Sequence, residues 1–254
     1  MIKKLVAVGD LHYPEQKYMK IFEQFLTDEK PEILIYAGDI WNCEPISHWG
    51  DESRFKEIGL AAIRQQLLTE AQGIHDLIAR QIKLAKAKEI YFLIGNHENW
   101  INMYQAKYGN ANEPMTVDSL LKLTPMGVKI LPQGKELKIG SMYLVHGDRI
   151  SKSGQSNVAK TAVAWYQAPI FFWHYHTTQS YGNVRPIDND SPQIGHLIGC
   201  MTDANPDYNK HKPNACIQQF LFAYLDTDKQ IFSYYPVMIV KGQFIWKGKR
   251  YSEK

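Results

Sequence analysis

Long apolar runs are missing from this sequence: none approaches the ~20 residues that a membrane-spanning helix needs. Met1-Ile2-Lys3-Lys4 leads straight into the β-forming Leu5-Val6-Ala7-Val8 instead of the apolar segment of a secretory leader, so the expectation is a cytoplasmic protein with no membrane partner. Cysteine is scarce as well. Cys43, Cys200 and Cys216 are odd in number and lack metal-ligand spacing, which argues against a disulfide framework and for reduced, mostly buried thiols. A dominant charge is also absent, since 29 Lys+Arg stand against 26 Asp+Glu for a net +3. No basic block is long enough to announce a nucleic-acid surface, which is neither shown nor excluded. Internal repeats, low-complexity stretches and linkers are lacking too, so residues 1–254 read as one domain. With 44% hydrophobic and 22% charged residues, the chain has the composition of a globular protein with a substantial core.

What the sequence does have is histidine, nine in all, at informative places. Residues 2–8 form a short β-rich run that stops at Gly9-Asp10. Residues 32–37 stop in the same way at Gly38-Asp39, and residues 89–94 at Gly95-Asn96. Helical patterns lie between them, over residues 15–27 and 54–86. Strand, helix, strand, helix, strand implies right-handed crossovers and a parallel sheet. Beyond it, residues 128–131, 137–139 and 142–145 read as short strands separated by turn signals, suggesting a second, more antiparallel sheet. A helix is expected over residues 157–165, a buried strand over 170–173 and further strands from 194 to 246. The whole reads as two sheets face to face with helices outside.

Ligands of parallel α/β sheets collect beyond the carboxyl ends of the strands, where loops converge on a rigid frame. The residues at those ends are consistent in kind: Asp10-Leu11-His12, Gly38-Asp39, Gly95-Asn96-His97-Glu98, His146-Gly147-Asp148 and His174-Tyr175-His176. Composition alone would give a Gly-Asn-His-acid tetrapeptide about 0.003 times in a chain of this length. Its occurrence in order with the others, each after an apolar strand, is a strong signal for one site of oxygen and imidazole ligands.

These motifs resemble those of the calcineurin-like metallophosphoesterases, in the family order Asp-x-His, Gly-Asp, Gly-Asn-His-acid, His, His-x-His, from Asp10 to His176. The resemblance implies an α+β or α/β chain folded as a four-layer αββα sandwich of two mixed sheets flanked by helices. It also implies two divalent metal ions, one held by Asp10, His12, Asp39 and His176 and the other by Asp39, Asn96, His146 and His174, with Asp39 shared. Imidazole, carboxylate and amide oxygen donors suit Mn, Fe, Zn or Ni, and Mn is the expected ion. The stretch from Gly199 to Asp203, with Asn205 to Tyr208 and Ile245 to Lys249, is similar to small single-domain members common in phage genomes, which would place the protein in a host cytoplasm.

The implied activity is hydrolysis of a phosphomonoester or phosphodiester by attack of a metal-bridging hydroxide. His97 would donate a proton to the leaving alkoxide, and Glu98 would orient the imidazole and keep it protonated. The substrate would be a phosphate ester, including a nucleotide or nucleic acid. The first three motifs also resemble Mre11-type nucleases, so DNA or RNA cleavage is the alternative activity, and a non-catalytic metal-binding scaffold the alternative of another class. One departure is visible: Trp173 stands where the family has glycine before His-x-His, so it must pack in an altered loop or wall the pocket.

Around this core, Arg149 is the candidate phosphate contact. Residues 40–54, with Trp41, His48 and Trp49, are a candidate rim, and Ser151 to Ser156 a candidate anion-binding turn. His211 is a candidate phosphate contact. The basic, aromatic Trp246-Lys247-Gly248-Lys249-Arg250-Tyr251 fits a nucleic-acid contact and equally a charged edge strand.

Overall fold

Alternation along single strands sets the layers. In a computed structural model, described for residues 1–47, 59–108, 115–150, 157–185, 188–203 and 216–253, strand β1 (Ile2–Val8) sends Val6 and Val8 to one face and Leu5 and Ala7 to the other. Both faces are buried, which only a central layer allows. Strands β2 (Ile33–Tyr36), β3 (Glu89–Leu93) and β4 (Val128–Leu131) extend β1 in parallel. The C-terminal β10 (Gln219–Asp226) and β11 (Ile231–Met238) add to the other edge antiparallel, giving the order β11-β10-β1-β2-β3-β4.

A second sheet has the order β5-β6-β7-β9-β8, formed by β5 (Leu137–Ile139), β6 (Met142–Val145), β7 (Ile170–Phe172), β8 (Gln179–Arg185) and β9 (Asp188–Leu197). Two of its four strand pairs are antiparallel, against two of five in the first sheet. β6, β7 and β9 run parallel, because the chain between β6 and β7 crosses over through a helix, and only the outer pairs are hairpins. Leu144, Phe171 and Ile198 of this layer meet Leu5, Ile35 and Leu221 of the first sheet, forming the core between the sheets.

Helices α1 (Met19–Glu29), α2 (Leu60–Ala85), α3 (Asn96–Tyr108) and α4 (Val117–Leu121) cover the outer face of the first sheet, with Phe22, Phe25, Ile74 and Ile101 against Val6, Leu34 and Phe222. The short α5 (Val158–Tyr166) covers the second sheet through Ala159, Ala162 and Val163. The result is the four-layer αββα sandwich. No helix among the described residues is long and apolar enough to cross a membrane.

Two boundaries differ from the sequence pattern. α1 begins at Met19, since Tyr18 is left-handed at φ 61° and the Lys17 N–H is spent on the Met201 carbonyl. α3 starts on Asn96 itself, so the third motif is a strand-to-helix turn.

The C-terminal β12 (Gln243–Trp246) and β13 (Lys249–Ser252) form a separate hairpin packed on α1, where the Phe25 ring meets Phe244, Trp246 and Tyr251 edge-on. Its basic residues face acids of α1: Lys247 Nζ lies 2.9 Å from Glu29 Oε2, and Lys249 pairs with Asp28. Two cations of this basic, aromatic segment are thus paired within the chain.

Candidate metal centre

The parallel pairing of β1 and β2 continues past the strands. The Asp10 N–H donates to the Gly38 carbonyl at 3.0 Å and the His12 N–H to the Asp39 carbonyl at 3.0 Å, so the first two motifs lie side by side. From the second sheet, His146 Nδ1 lies 3.0 Å from the Ala37 carbonyl, and the His174 N–H donates to Asp10 Oδ2 at 2.8 Å. These bonds clamp the carboxyl ends of both sheets together. Asp10, His12, Asp39, Asn96, His97, His146, His174 and His176 all meet there.

The backbone at this meeting point is held in an unusual state. Asp10, His12, Asp39, His174 and His176 all have φ between 47° and 84°, the left-handed region that non-glycine residues seldom occupy. Such conformations persist only where the surroundings over-determine them, and they collect at functional sites. Glycine is needed beside them. A Cβ on Gly95 would lie 2.2 Å from Asp39 Oδ1, and one on Gly38 would lie 2.6 Å from the His146 ring.

Nitrogen and oxygen atoms of the motif side chains crowd together at this point. A carbonyl can only accept, so His146 carries a proton on Nδ1, toward Ala37, and turns Nε2 inward. That nitrogen is 3.1 Å from Asn96 Oδ1 and 3.1 Å from Asp39 Oδ2. His12 Nε2 and His176 Nε2 stand 3.0 Å apart. Asp10 Oδ1 is buried without a partner. Ligands about 2.1 Å from a common ion lie roughly 3 Å from each other, so this spacing fits cations between them. Two three-residue groups result, Asp10 with His12 and His176, and Asp39 with His146 and His174. A third group, His12, Asp39 and His97, links them.

Burial raises the Asp10 carboxyl to about 6. Burial and then the His146 charge push His174 down to about 3, and burial with the neighbouring His97 holds His12 well below its ordinary value. His146 is raised to about 10, because Asp39 and Asp10 outweigh the cost of burying its charge. Metal ions require carboxylates and neutral imidazoles, so a cation bound here would take the place of the proton that Asp39 and Asp10 hold on His146.

Several sequence readings change. Glu98 does not orient His97. It is fully buried, and its oxygens accept from the backbone N–H groups of Asp39 at 3.0 Å, Trp41 at 2.8 Å and Gly95 at 2.9 Å. Burial and the nearby Asp39 charge raise its carboxyl to about 7. The partner of His97 is the Asn42 carbonyl, 2.7 Å from Nδ1, a residue that no motif marked. Trp100 lies against the same imidazole, with ring centroids 4.1 Å apart.

Trp173 packs in the core and does not wall the pocket. It is fully buried between the sheets against Gly9, where a Cβ would come within 2.7 Å of its ring. Arg149 is exposed and lies along the Gly134 turn, where a Cβ would lie 2.6 Å from its Cζ, and no contact ties it to the histidines. Asp148 accepts from Gln133 at 2.7 Å, as a turn residue does. Of the candidate rim, Trp41 is core and bonds Glu70 through its indole N–H at 2.7 Å, while His48, Trp49 and Arg54 lie outside the described residues. Ser151 to Ser156, Asn205 to Tyr208 and His211 lie outside them as well. A groove of about 900 Å³, lined by Tyr143, Pro169, Ile194 and Tyr234, opens at the other ends of the strands.

Over most of its length the chain is similar to a single-site variant of Vps29 from Entamoeba histolytica, with 12% identity, 94% of each chain covered and a TM-score of 0.46. It is similar to Vps29 from Chaetomium thermophilum, with 11% identity, 93% of this chain and 97% of the other covered, and a TM-score of 0.45. It is also similar to a conserved protein of Streptococcus pneumoniae described as a predicted phosphoesterase, with 10% identity, 100% and 99% covered, and a TM-score of 0.40. None of the curated proteins matches. Residues 3–196 match the calcineurin-like phosphoesterase family, a metal-dependent family, and the chain belongs to it.

Proposed function

We propose that this protein is a dinuclear metal-dependent phosphoesterase that hydrolyses phosphomonoesters or phosphodiesters. The observation that carries this reading is the convergence of carboxylate and imidazole ligand atoms in two adjacent groups joined by Asp39 and His12. Asp10, His12, Asp39 and His176 would hold one ion, and Asp39, Asn96, His146 and His174 the other, with Mn²⁺ the first choice among Mn, Fe, Zn and Ni. Ions held there supply Lewis acidity to the phosphoryl oxygens and to an attacking water.

The chain's own residues supply orientation and a proton. His97 is fixed at Nδ1 by the Asn42 carbonyl, and its Nε2 lies 3.9 Å from Asp39 Oδ2, at the inner edge of the ligand groups. As an imidazolium it would donate from Nε2 to the leaving alkoxide while keeping the Nδ1 proton on Asn42. Trp100 restricts the ring to that orientation. Glu98 acts earlier in the chain of support, by tying the Asp39 and Gly95 backbones into one unit.

The test is hydrolysis of bis-p-nitrophenyl phosphate and p-nitrophenyl phosphate by Mn²⁺-loaded protein, alongside metal analysis and single- and double-stranded DNA. Bound metal near two equivalents with ester hydrolysis supports the reading. Cleavage of DNA with steep salt dependence would identify a nuclease instead. Metal binding with no hydrolysis of any ester would leave a non-catalytic scaffold.

A further inference from the structure

Behind the metal ligand His176 stands a pair of thiols that the phosphoesterase reading does not use. Cys216 Sγ lies 3.8 Å from His176 Nδ1, and Cys200 Sγ completes a group whose members all lie within 4.8 Å of one another. The spacing in sequence conceals this proximity, and the backbone creates it. The Cys200 N–H donates to the Ile217 carbonyl at 2.8 Å, the Gln219 N–H to the Cys200 carbonyl at 2.9 Å, and the Ile217 N–H to the His176 carbonyl at 2.8 Å. Gln218 Nε2 donates to the Thr202 carbonyl at 2.8 Å and reaches Cys200 Sγ at 3.6 Å. None of the three cysteines is in a disulfide; Cys216 is partly buried, while Cys200 and Cys43 are buried.

We propose that Cys200 and Cys216 are an oxidisable dithiol whose closure to a disulfide loosens the metal held by His176. A metal-ligating histidine ordinarily gives its second ring N–H to an oxygen acceptor, and here a sulfur occupies that position. The oxidant is a low-molecular-weight disulfide. The Cys216 thiolate attacks one of its sulfurs and expels one thiolate, and Cys200 then attacks the Cys216 sulfur and expels the second. Two protein thiols lose two protons and two electrons, and the reagent is reduced to two thiols. Closure brings the sulfurs to about 2.04 Å, which turns Cys216 Sγ toward Cys200 and away from the His176 ring.

The effect on metal rests on the metal-centre reading, whereas the disulfide does not. Reduced, metal-free full-length protein is incubated with oxidised glutathione, its thiols are counted under denaturing conditions, its bridges are mapped by mass spectrometry, and Mn²⁺ is titrated before and after. Thiols should fall from three to one per chain, with the bridge at Cys200–Cys216 and Cys43 left as the remaining thiol. Mn²⁺ affinity should drop roughly 10–100-fold, the usual effect of losing such a ligand's outer partner, and dithiothreitol should restore it. Cys200→Ser should keep its Mn²⁺ affinity when reduced and trap glutathione on Cys216. Three persisting thiols, glutathione left on wild-type Cys216, or a bridge that includes Cys43 would overturn the dithiol. An unchanged Mn²⁺ affinity in the bridged protein would overturn the coupling. Reduced protein that binds no Mn²⁺ would overturn the metal-centre reading and the coupling together, the dithiol then standing or falling on thiol count and mapping alone.

Discussion

Glu98 holds Asp39 by its backbone: Oε2 accepts the Asp39 N–H at 3.0 Å and, on the same oxygen, the Gly95 N–H at 2.9 Å. An acid at the helix start therefore fixes the position of a ligand on a neighbouring strand. Glu98→Gln replaces one acceptor oxygen with an NH₂ that meets N–H donors. Leaving a buried donor unsatisfied costs about 1–3 kcal/mol, so the variant should melt several degrees lower and bind Mn²⁺ more weakly. Thermal denaturation with and without Mn²⁺ checks this. A shifted acid limb in the pH–rate profile at unchanged stability would instead make Glu98 a partner of His97.

His97 is separable from metal binding. Its Nδ1 is committed to the Asn42 carbonyl, and the proposed ligand sets are complete without it. His97→Asn should lower turnover by on the order of 10²–10³-fold, the usual worth of a positioned acid, while metal content stays near that of the wild type. Parallel measurement of kcat and bound metal decides it. A loss of metal matching the loss of rate would place His97 among the ligands, as its proximity to His12 and Asp39 would permit.

The contrast between these two residues shows what was legible in the sequence. Strand ends, ligand types and layer order follow from period-two alternation and from motif position, since Val8, Tyr36, Leu93, Val145 and Phe172 all end strands just before a polar motif. Partners across space do not follow. Nothing about Glu98 next to His97 says that its oxygens turn to three backbone amides, and nothing near Asn42 marks its carbonyl. Cys200 and Cys216 stand apart in sequence and meet through a ladder made by the backbone alone. Strand β8 and the first part of β9 lie ahead of the strands read from residue 194 onward, because Gln179–Arg185 carries mostly polar residues and no clear alternation.

Trp173 gives a packing test. Its indole fills the space over Gly9, and its Nε1 is buried without a partner. Trp173→Phe removes that unpaired N–H along with some volume and should change stability by less than about 1.5 kcal/mol. Trp173→Gly, which restores the family residue, opens a cavity and should cost about 3–5 kcal/mol. Gly9→Ala overpacks the same contact, at about 1–3 kcal/mol. Urea unfolding of the three variants orders them. A stable and more active Trp173→Gly would show that the tryptophan shapes the catalytic loop.

His196 supplies a pH dependence that does not involve the metal ligands. Burial alone depresses its pKa to about 4, its Nδ1 has no partner, and only Thr178 Oγ1, at 3.4 Å, approaches Nε2. In the unfolded chain the imidazole titrates near 6.5. Between these values the unfolded state binds a proton that the folded state refuses, so stability falls as pH drops from about 6.5 toward 4, at a limit of about 1.4 kcal/mol per unit. Above 6.5 the contribution is flat. His196→Gln carries no titrating group and should lack this component. Unfolding free energies from pH 7 to 5, measured in chelator so that His12 and His174 contribute equally to both proteins, give it as a difference of slopes. Identical slopes would mean that His196 takes up its proton as readily in the folded chain as in the unfolded one.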